Sequence, residues 1–413
     1  MTEPVLPARG RTSAAFAQVA EVFAAQLRSG GETGAALAVY HHGECVVDLW
    51  GGLADVERAL PWQRDTRAVV FSVTKGLAAM GLMLLADRGL LDWEAKVASV
   101  WPEFAQGGKG GITLRTLFNH RAGLAALDVP FTLDDCTSTE GQARLRAALA
   151  AQRPRWEPGT SQGYHAATFG LYASEVFQRL AKQSLGSFLQ RELFGPLQAE
   201  VSLGTPAEVD SRIATLYPPS MTTRVKTVVG NALRGKPNEL RVALALLGRR
   251  SIARGAFLNP DPGPRQLTAY NEVPARRAEL AWASATASAQ GLARAYLPFA
   301  SGGTFQGRRY LAAATIAPVF ERQGWSTRDR VLQKPLGWSQ GFLKEETHLY
   351  SPVVESFGHP GMGGALGWCD PVNQLTIGYV LNGLGSHVRS PKALALCRAI
   401  YASEETAPRR SAR

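Results

Sequence analysis

The sequence predicts an α/β fold of the α+β kind, in which both ends of the chain build one antiparallel sheet flanked by helices. Strand-like patterns occur at residues 34–50 and return only after residue 341. The interval between them has mainly helical periodicity, broken by loops. A helical domain inserted between two parts of a sheet accounts for this order. The length of 413 residues is ample for such a core.

These patterns assign residues 13–70 and 303–402 to the sheet domain, and residues 71–302 to the mainly helical domain that carries the candidate nucleophile. Residues 1–12 are polar and contain proline, so we expect a disordered segment there and no signal peptide. The basic tail at residues 403–413 is likewise predicted to be disordered.

The composition indicates an ordinary globular protein, with 45% hydrophobic and 19% charged residues. No apolar run is long enough to cross a bilayer, so no membrane span is predicted. The four cysteines are widely scattered and lack the spacing of metal ligands. We therefore expect no metal site, and free thiols in a reducing compartment, which implies a cytoplasmic location.

The formal net charge of +11 is concentrated in one segment. Residues 212–265 contain ten basic and two acidic side chains. Nucleic-acid binding would explain this excess, but aromatic residues are sparse there and no nucleic-acid-binding motif is found. We expect a solvated surface or a basic flap near a site for anionic groups. Such a flap would shape the substrate entrance, and reversing the charges of Arg249 and Arg250 would then change ester kinetics.

The elements near the chain start follow from local signals. Ser13 is a plausible N-cap for a helix that continues to Leu27 and ends at Gly30-Gly31. Residues 34–40 and 45–50 are strand-like and are separated by a four-residue turn, which predicts a hairpin.

The later elements are assigned from periodicity alone. Apolar stripes predict helices, and apolar runs next to glycines predict strands. Residues 217–274 are rich in proline, glycine and arginine, and only one helix is assigned within them. The predicted helices are 169–180, 240–247, 292–299 and 393–401, and the predicted strands are 341–343, 363–368 and 375–381.

The stretch around Ser72 carries the main chemical signal. An extended apolar run ends at Ser72, and a helix-like run begins there and continues to Gly89. The start of a helix favours developing negative charge, and Lys75 at i+3 lies on the same helix face as the serine. A lysine buried beside a hydroxyl loses its proton and can act as a base. Ser72 is therefore a candidate nucleophile and Lys75 its candidate base, the alternative being a serine N-cap followed by an exposed lysine.

Two further stretches bear on this chemistry. Tyr164 lies at the end of a loop, just before a predicted helix. There it would pass a proton from the serine–lysine pair to the leaving group, and nearby cations would favour its phenolate form. The alternative is that the tyrosine side chain only anchors the loop by packing. The glycines around His359 imply close backbone approach, plausibly to a substrate carbonyl. A lone histidine there would ordinarily be structural.

Together these stretches resemble the serine β-lactamase-like hydrolases (class C β-lactamases and penicillin-binding proteins), and within them the family VIII carboxylesterases, over residues 14–402. Ser72-Val73-Thr74-Lys75 matches the nucleophile motif S-x-x-K, and Tyr164-His165-Ala166 resembles the family's Tyr-x-Asn/Ala motif. His359-Pro360-Gly361 stands where β-lactamases carry Lys-Thr-Gly and many esterases carry His-x-Gly. Residues 117–124 resemble a recurring family stretch, "LLxHxSGL".

The resemblance implies acylation and deacylation of Ser72, with Lys75 and Tyr164 moving the proton. It also implies an oxyanion hole made by the backbone N–H groups of Ser72 and Met362. His359, Gly361, Gly363 and His165 are expected to contact the substrate, and no cofactor is expected.

Two departures from the family pattern favour an esterase over a β-lactamase. His359 replaces a lysine, and a neutral imidazole lacks a permanent charge for a β-lactam carboxylate. Ala166 replaces an asparagine amide. The expected partner is a small-molecule ester with a small or medium acyl group, and the oligomeric state is left open. The alternatives are an acyltransferase, a β-lactamase or D-amino peptidase-type amidase, and a non-catalytic scaffold.

A competing nucleophile motif, G-x-S-x-G, occurs around Ser161 and Ser339. That motif needs a buried strand before the serine and a helix after it. Two prolines stand in the stretch before Ser161, and strand-like residues follow Ser339. Both matches are therefore interpreted as coincidental.

Overall fold

A computed structural model describes residues 7–30, 32–235, 238–248, 250–344, 349–403 and 405–406. The strands are β1 Arg9–Thr12, β2 Gly34–His41, β3 Glu44–Asp55, β4 Leu60–Pro61, β5 Ala68–Val69, β6 Val201–Ser202, β7 Thr286–Ala287, β8 Thr304–Phe305, β9 Arg308–Arg309, β10 Gly324–Ser326, β11 Leu336–Ser339, β12 Phe342–Lys344, β13 Phe357–Pro360, β14 Leu366–Asp370 and β15 Leu375–Leu381. The helices are α1 Ala17–Arg28, α2 Val73–Asp87, α3 Val97–Val100, α4 Leu114–Phe118, α5 Leu133–Thr137, α6 Thr139–Ala151, α7 Thr168–Ala181, α8 Leu185–Leu189, α9 Met221–Leu233, α10 Asn238–Leu247, α11 Ile252–Leu258, α12 Val273–Arg277, α13 Ala289–Ala295, α14 Leu297–Ala300, α15 Ala313–Phe320 and α16 Pro391–Tyr401.

The predicted fold class is confirmed, because one large antiparallel sheet joins strands from both ends of the chain. Its strand order is β1-β3-β2-β15-β14-β13-β12-β11-β10, and β4 pairs with β3. The two chain ends meet where β2 pairs with β15, with Ala38 opposite Gly378. Two small sheets, β5-β7-β6 and β8-β9, lie outside it.

The centre of the large sheet is covered on both faces, which explains its uninterrupted apolar strands. Every residue of β2 and of β15 is buried. Helix α13 contacts both strands, and α1 contacts α16. Gly378 lets α13 lie close, since a Cβ atom there would stand 2.2 Å from the Ala289 carbonyl oxygen. Burial on both faces replaces the alternating pattern of a half-exposed sheet.

Helix α2 connects the sheet to the helical part of the molecule. Its residues Val73 to Leu85 are all buried, and it contacts α7, α8 and α15 as well as strands β12, β13 and β14. A helix that is apolar on all sides belongs inside the protein. The first turn of α2, which carries the candidate nucleophile, is therefore fixed by packing from several directions.

The structure corrects both predicted disordered ends. Residues 9–12, expected to be disordered, form β1, which pairs with β3 from Arg9 opposite Trp50 to Thr12 opposite Val47. At the other end Thr406 is buried and its hydroxyl donates to the Ile400 carbonyl oxygen, whereas residues 407–413 lie outside the described part of the chain. Main-chain pairing and buried polar contacts fix these residues, and neither leaves an apolar pattern in the sequence.

Other elements differ from expectation in detail. Ser13 makes no side-chain capping bond, and a short 3₁₀ turn at Ala14–Phe16 precedes α1. Residues 221–258, where only 240–247 was assigned, contain three helices, α9, α10 and α11. No helix in the described residues is long and apolar enough to cross a membrane.

Candidate active site

A cavity of about 1120 Å³ lies beside the start of α2. Ser72, Tyr164 and His359 line it, together with the backbone from Pro360 to Gly364. Apolar side chains such as Val242, Leu246 and Phe257, contributed by α10 and α11, line it as well. A largely apolar space with a few converging polar groups is typical of a small-molecule site.

Ser72 lies at the N-terminus of α2 on a strained turn. The residue before it, Phe71, has a left-handed backbone with φ of 45°, which is rare for a bulky side chain. Its ring is buried and packs edge-to-face against Tyr270 at 5.3 Å. Such strain costs of order 1–3 kcal/mol and persists only where packing holds it, as it does at many functional sites. The turn presents the Ser72 hydroxyl to the cavity.

Lys75 lies directly beside the Ser72 hydroxyl. Its Nζ donates to Ser72 Oγ at 3.0 Å and to the Trp282 carbonyl oxygen at 3.0 Å. Burial holds the pKa of Lys75 well below its ordinary value of 10.5, and no carboxylate is among the causes that shift it. An amine with a lowered pKa, within hydrogen-bond distance of a hydroxyl, has the geometry of a general base.

Tyr164 lies close to both Ser72 and Lys75. The Lys75 Nζ is 5.1 Å from the centre of the Tyr164 ring, and that ring stacks on Trp338 at 5.7 Å. Burial raises the pKa of Tyr164 above its ordinary value of 10, although a hydrogen bond with Ser72 opposes this shift. The direction of this shift is opposite to the expectation of a phenolate favoured by nearby cations, because burial disfavours the tyrosinate charge.

His359 is buried and neutral at the edge of the cavity. Its Nδ1 lies 2.7 Å from the Pro360 carbonyl oxygen, and its ring centre is 6.0 Å from that of Tyr164. Burial lowers the pKa of His359 to about 3. The position where β-lactamases carry lysine is therefore uncharged here at neutral pH.

The glycines after His359 serve close packing within the protein. A Cβ atom on Gly361 would stand 2.3 Å from the Val70 carbonyl oxygen, and one on Gly363, which has φ of 84°, would stand 2.5 Å from Leu384. These close contacts are with protein atoms, and the expected approach of a substrate carbonyl stays a prediction. Because Gly361 precedes Met362 and Val70 lies two residues before Ser72, this contact holds the two chain segments together. Both glycines line the cavity.

The structure does not bring His165 to the cavity. Its imidazole is fully buried, with Nδ1 2.7 Å from the Gly163 carbonyl oxygen and Nε2 accepting from the Leu124 N–H at 3.2 Å. The backbone N–H of His165 donates to His120 Nδ1 at 2.9 Å. These bonds tie the stretch 117–124 to the Tyr164 loop, so the position of His165 gives no support to substrate contact.

Neither competing serine has the surroundings of a nucleophile elbow. Ser161 lies on an irregular loop and its hydroxyl accepts from Arg330 Nε at 2.7 Å. Ser339 ends the antiparallel strand β11, is fully buried, and donates to the Pro318 carbonyl oxygen at 3.1 Å. Neither residue lines the cavity beside α2.

The predicted basic flap corresponds to helices that line the cavity. Arg224 of α9, Ala243 of α10 and Arg254 of α11 face this space, and so does Arg250. Arg249 lies outside the described residues. Within the described ranges, no group of His, Cys, Asp and Glu side chains has the arrangement of a metal site.

Asp329 is a positioning residue that the sequence did not reveal. Its buried Oδ1 accepts from the backbone N–H of Tyr164 at 3.1 Å, Val331 at 2.8 Å and Leu332 at 2.9 Å. It thereby fixes the backbone of Tyr164 from a loop 165 residues away in sequence. Burial raises the pKa of Asp329 to about 6, although the three N–H donors oppose the shift.

Replacing Asp329 with asparagine is expected to change how stability depends on pH. Because the pKa of Asp329 is near 6 in the folded state and 3.8 ordinarily, the folded protein binds more protons between these values. The wild-type free energy of unfolding should therefore fall by up to about 3 kcal/mol through this group as the pH rises from about 4 to 6. Asp329→Asn keeps an acceptor oxygen, and its free energy of unfolding, measured by urea titration, should lack this fall. Equal pH dependence of the free energy of unfolding in the two proteins would contradict the prediction.

Comparisons with known proteins match most of the chain. The β-lactamase family model matches residues 19–400. The chain is 33% identical to the esterase/β-lactamase LipL of Mycobacterium tuberculosis over 91% of this chain and 83% of LipL. The fold is similar to that of a family VIII carboxylesterase, with a TM-score of 0.82 and 34% identity. It is also similar to a penicillin-binding protein homologue from Caulobacter crescentus, with a TM-score of 0.83 and 32% identity. Each similarity covers 96% of this chain and 99% of the other. With the family match spanning nearly the whole fold and the S-x-x-K serine at its cavity, the chain belongs to the β-lactamase family.

Proposed function

We propose that the protein hydrolyses carboxylic esters of small to medium acyl groups through an acyl-enzyme on Ser72. The observation that carries the proposal is the 3.0 Å hydrogen bond between Lys75 Nζ and Ser72 Oγ, in a buried setting that lowers the pKa of the amine. The esterase names of LipL and of the family VIII structure support the same reaction class.

Acylation begins when Ser72 Oγ attacks the ester carbonyl carbon and gives its proton to Lys75 Nζ. The carbonyl oxygen becomes an oxyanion, for which we propose the backbone N–H groups of Ser72 and Met362 as donors. The contact of Gly361 with Val70 supports this pairing, since it brings the two chain segments together. When the tetrahedral intermediate collapses, the alcohol departs with a proton passed from Lys75 through the Tyr164 hydroxyl.

Deacylation repeats these steps with water in place of the alcohol. Neutral Lys75, with Tyr164 in its network, takes a proton from water as the water attacks the acyl carbon. The proton then returns to Ser72 Oγ, and the carboxylic acid is released. A competing alcohol or amine would intercept the same acyl-enzyme, so acyl transfer is the alternative outcome of this mechanism.

The cavity favours esters over β-lactams. His359 is neutral and lines the cavity, so this position offers no charge for the carboxylate of a β-lactam. The apolar side chains along the cavity suit a hydrocarbon acyl chain. The four cysteines are all free, which supports our proposal that the protein works in a reducing compartment such as the cytoplasm.

The substrate class is tested with p-nitrophenyl esters from acetate to laurate and a chromogenic cephalosporin in parallel. We expect ester turnover with an optimum at a short or medium chain, and a kcat/KM for the cephalosporin at least about a hundredfold lower, because its carboxylate lacks a charged partner at His359. Faster turnover of the cephalosporin would favour the β-lactamase alternative. No turnover of any ester by the wild type would favour the acyltransferase or the scaffold.

A further inference from the structure

Helices α9 and α10 form a pair with two different faces. They pack against each other, and their inner sides line the cavity through Val228, Val242 and Leu246. The sides turned away from the cavity are exposed, although they carry large apolar residues. We call this the outer face, and its apolar residues are Met221, Val225, Val229, Leu233, Leu240, Leu244 and Leu247.

The apolar residues of the outer face follow a helical repeat along α9. On α9 the apolar residues recur every fourth position from Met221 to Leu233, which places them on one side of the helix. Leu233 is 84% exposed, Leu247 74% and Met221 69%. Exposed apolar surface of this extent on a globular protein marks an interaction site.

Basic side chains surround the apolar residues of the outer face. Lys226 and Arg234 are exposed beside them on the α9 side, and Arg241 on the α10 side. Glu239 is the one acidic residue in the sequence from 221 to 250. It lines the cavity and accepts a hydrogen bond from the Val388 N–H at 3.3 Å, so it does not offset the positive charge of the outer face.

We propose that the outer face docks on an anionic lipid surface. An amphipathic helix pair with apolar residues in the middle and basic residues around them buries its apolar side at the headgroup boundary, while the cations contact lipid phosphates. A second copy of the chain fits less well, because two faces of the same positive charge repel each other. Docking here would bring the cavity lined by the inner sides of α9 and α10 next to the membrane.

The test uses the full-length protein and sedimentation with phospholipid vesicles. The wild type is expected to bind vesicles containing phosphatidylglycerol, to bind pure phosphatidylcholine vesicles much more weakly, and to dissociate at high salt. The triple variant Leu233→Ser/Leu244→Ser/Leu247→Ser and the double variant Lys226→Glu/Arg241→Glu should each weaken binding at least about tenfold.

Matched controls separate docking from damage to the fold or to the enzyme. Leu60→Ser/Val372→Ser and Arg308→Glu/Arg309→Glu remove exposed apolar and basic residues elsewhere, and they should bind vesicles like the wild type. Hydrolysis of the water-soluble p-nitrophenyl acetate should be unchanged in every variant, since none of these residues lines the cavity. Vesicle binding is measured without hydrolysis, so its outcome does not depend on the proposed esterase activity.

Two results would overturn the docking proposal. One is the absence of wild-type binding to phosphatidylglycerol vesicles at low salt, or equal binding by the wild type and the outer-face variants. The other is a concentration-dependent dimer in sedimentation velocity that the triple leucine variant abolishes, which would assign the outer face to a second copy of the chain.

Discussion

Replacing Ser72 with alanine is expected to lower kcat for p-nitrophenyl acetate by about 10⁶. The oxygen of this hydroxyl forms the acyl-enzyme. Among the described residues, the Lys75 amine hydrogen-bonds to Ser72 Oγ and to the Trp282 carbonyl oxygen, so Ser72 is the one hydroxyl that it can activate. Its loss removes the covalent route altogether, while the cavity and the apolar binding surface stay intact. Steady-state kinetics at several ester concentrations measures the effect.

The matched control for this experiment is Ser161→Ala, which removes the serine of a competing motif. Its hydroxyl contacts Arg330 on the protein surface and lies outside the cavity. We expect wild-type kinetics from this variant. Activity that survives in Ser72→Ala and disappears in Ser161→Ala or Ser339→Ala would refute the assignment of the nucleophile.

Replacing Lys75 with methionine is expected to lower kcat/KM by about 10⁴, because the base that removes the Ser72 proton is lost. In the wild type, kcat/KM should rise with pH as Lys75 loses its proton and becomes able to act. The residual activity of Lys75→Met should lack this rise. A variant that kept both the rate and the pH profile would show that another group is the base.

The same variant has an expected effect on stability. Because the pKa of Lys75 is lower when folded than its ordinary 10.5, the unfolded chain binds more protons between these two values. The wild-type free energy of unfolding should therefore rise with pH in that window, by about 1.4 kcal/mol per pH unit from this group. Lys75→Met should lack the rise, so its stability relative to the wild type should be greatest at the low-pH end of this window and decline towards pH 10.5. Urea unfolding at several pH values checks the trend.

The serine–lysine pair was predictable because it is local. A strand-like run, a helix start and an i+3 spacing place Ser72 beside Lys75 whatever the rest of the chain does. The burial that lowers the pKa of Lys75 follows from the apolar residues on every side of α2. The continuous apolar runs of β2 and β15 likewise made the sheet of both chain ends predictable.

Features that depend on distant contacts were not predictable. Asp329 acts through a hydrogen bond to the backbone of Tyr164, and a backbone donor leaves no mark in the sequence. The protonated state of Tyr164 follows from burial rather than from its neighbours in the chain. His165 shares a motif with Tyr164, but its ring points into the protein, towards Leu124. The left-handed turn at Phe71 is held by packing against Tyr270, which the sequence separates from it by almost two hundred residues.

The most direct test of the account is covalent labelling with diethyl p-nitrophenyl phosphate, followed by mass spectrometry of the intact protein and its peptides. We expect a single adduct on Ser72, no adduct in Ser72→Ala, and slow labelling of Lys75→Met because its serine is not activated. An adduct on Ser161 or Ser339, or a wild-type protein that the reagent leaves unmodified, would contradict the claim that Ser72 is the nucleophile.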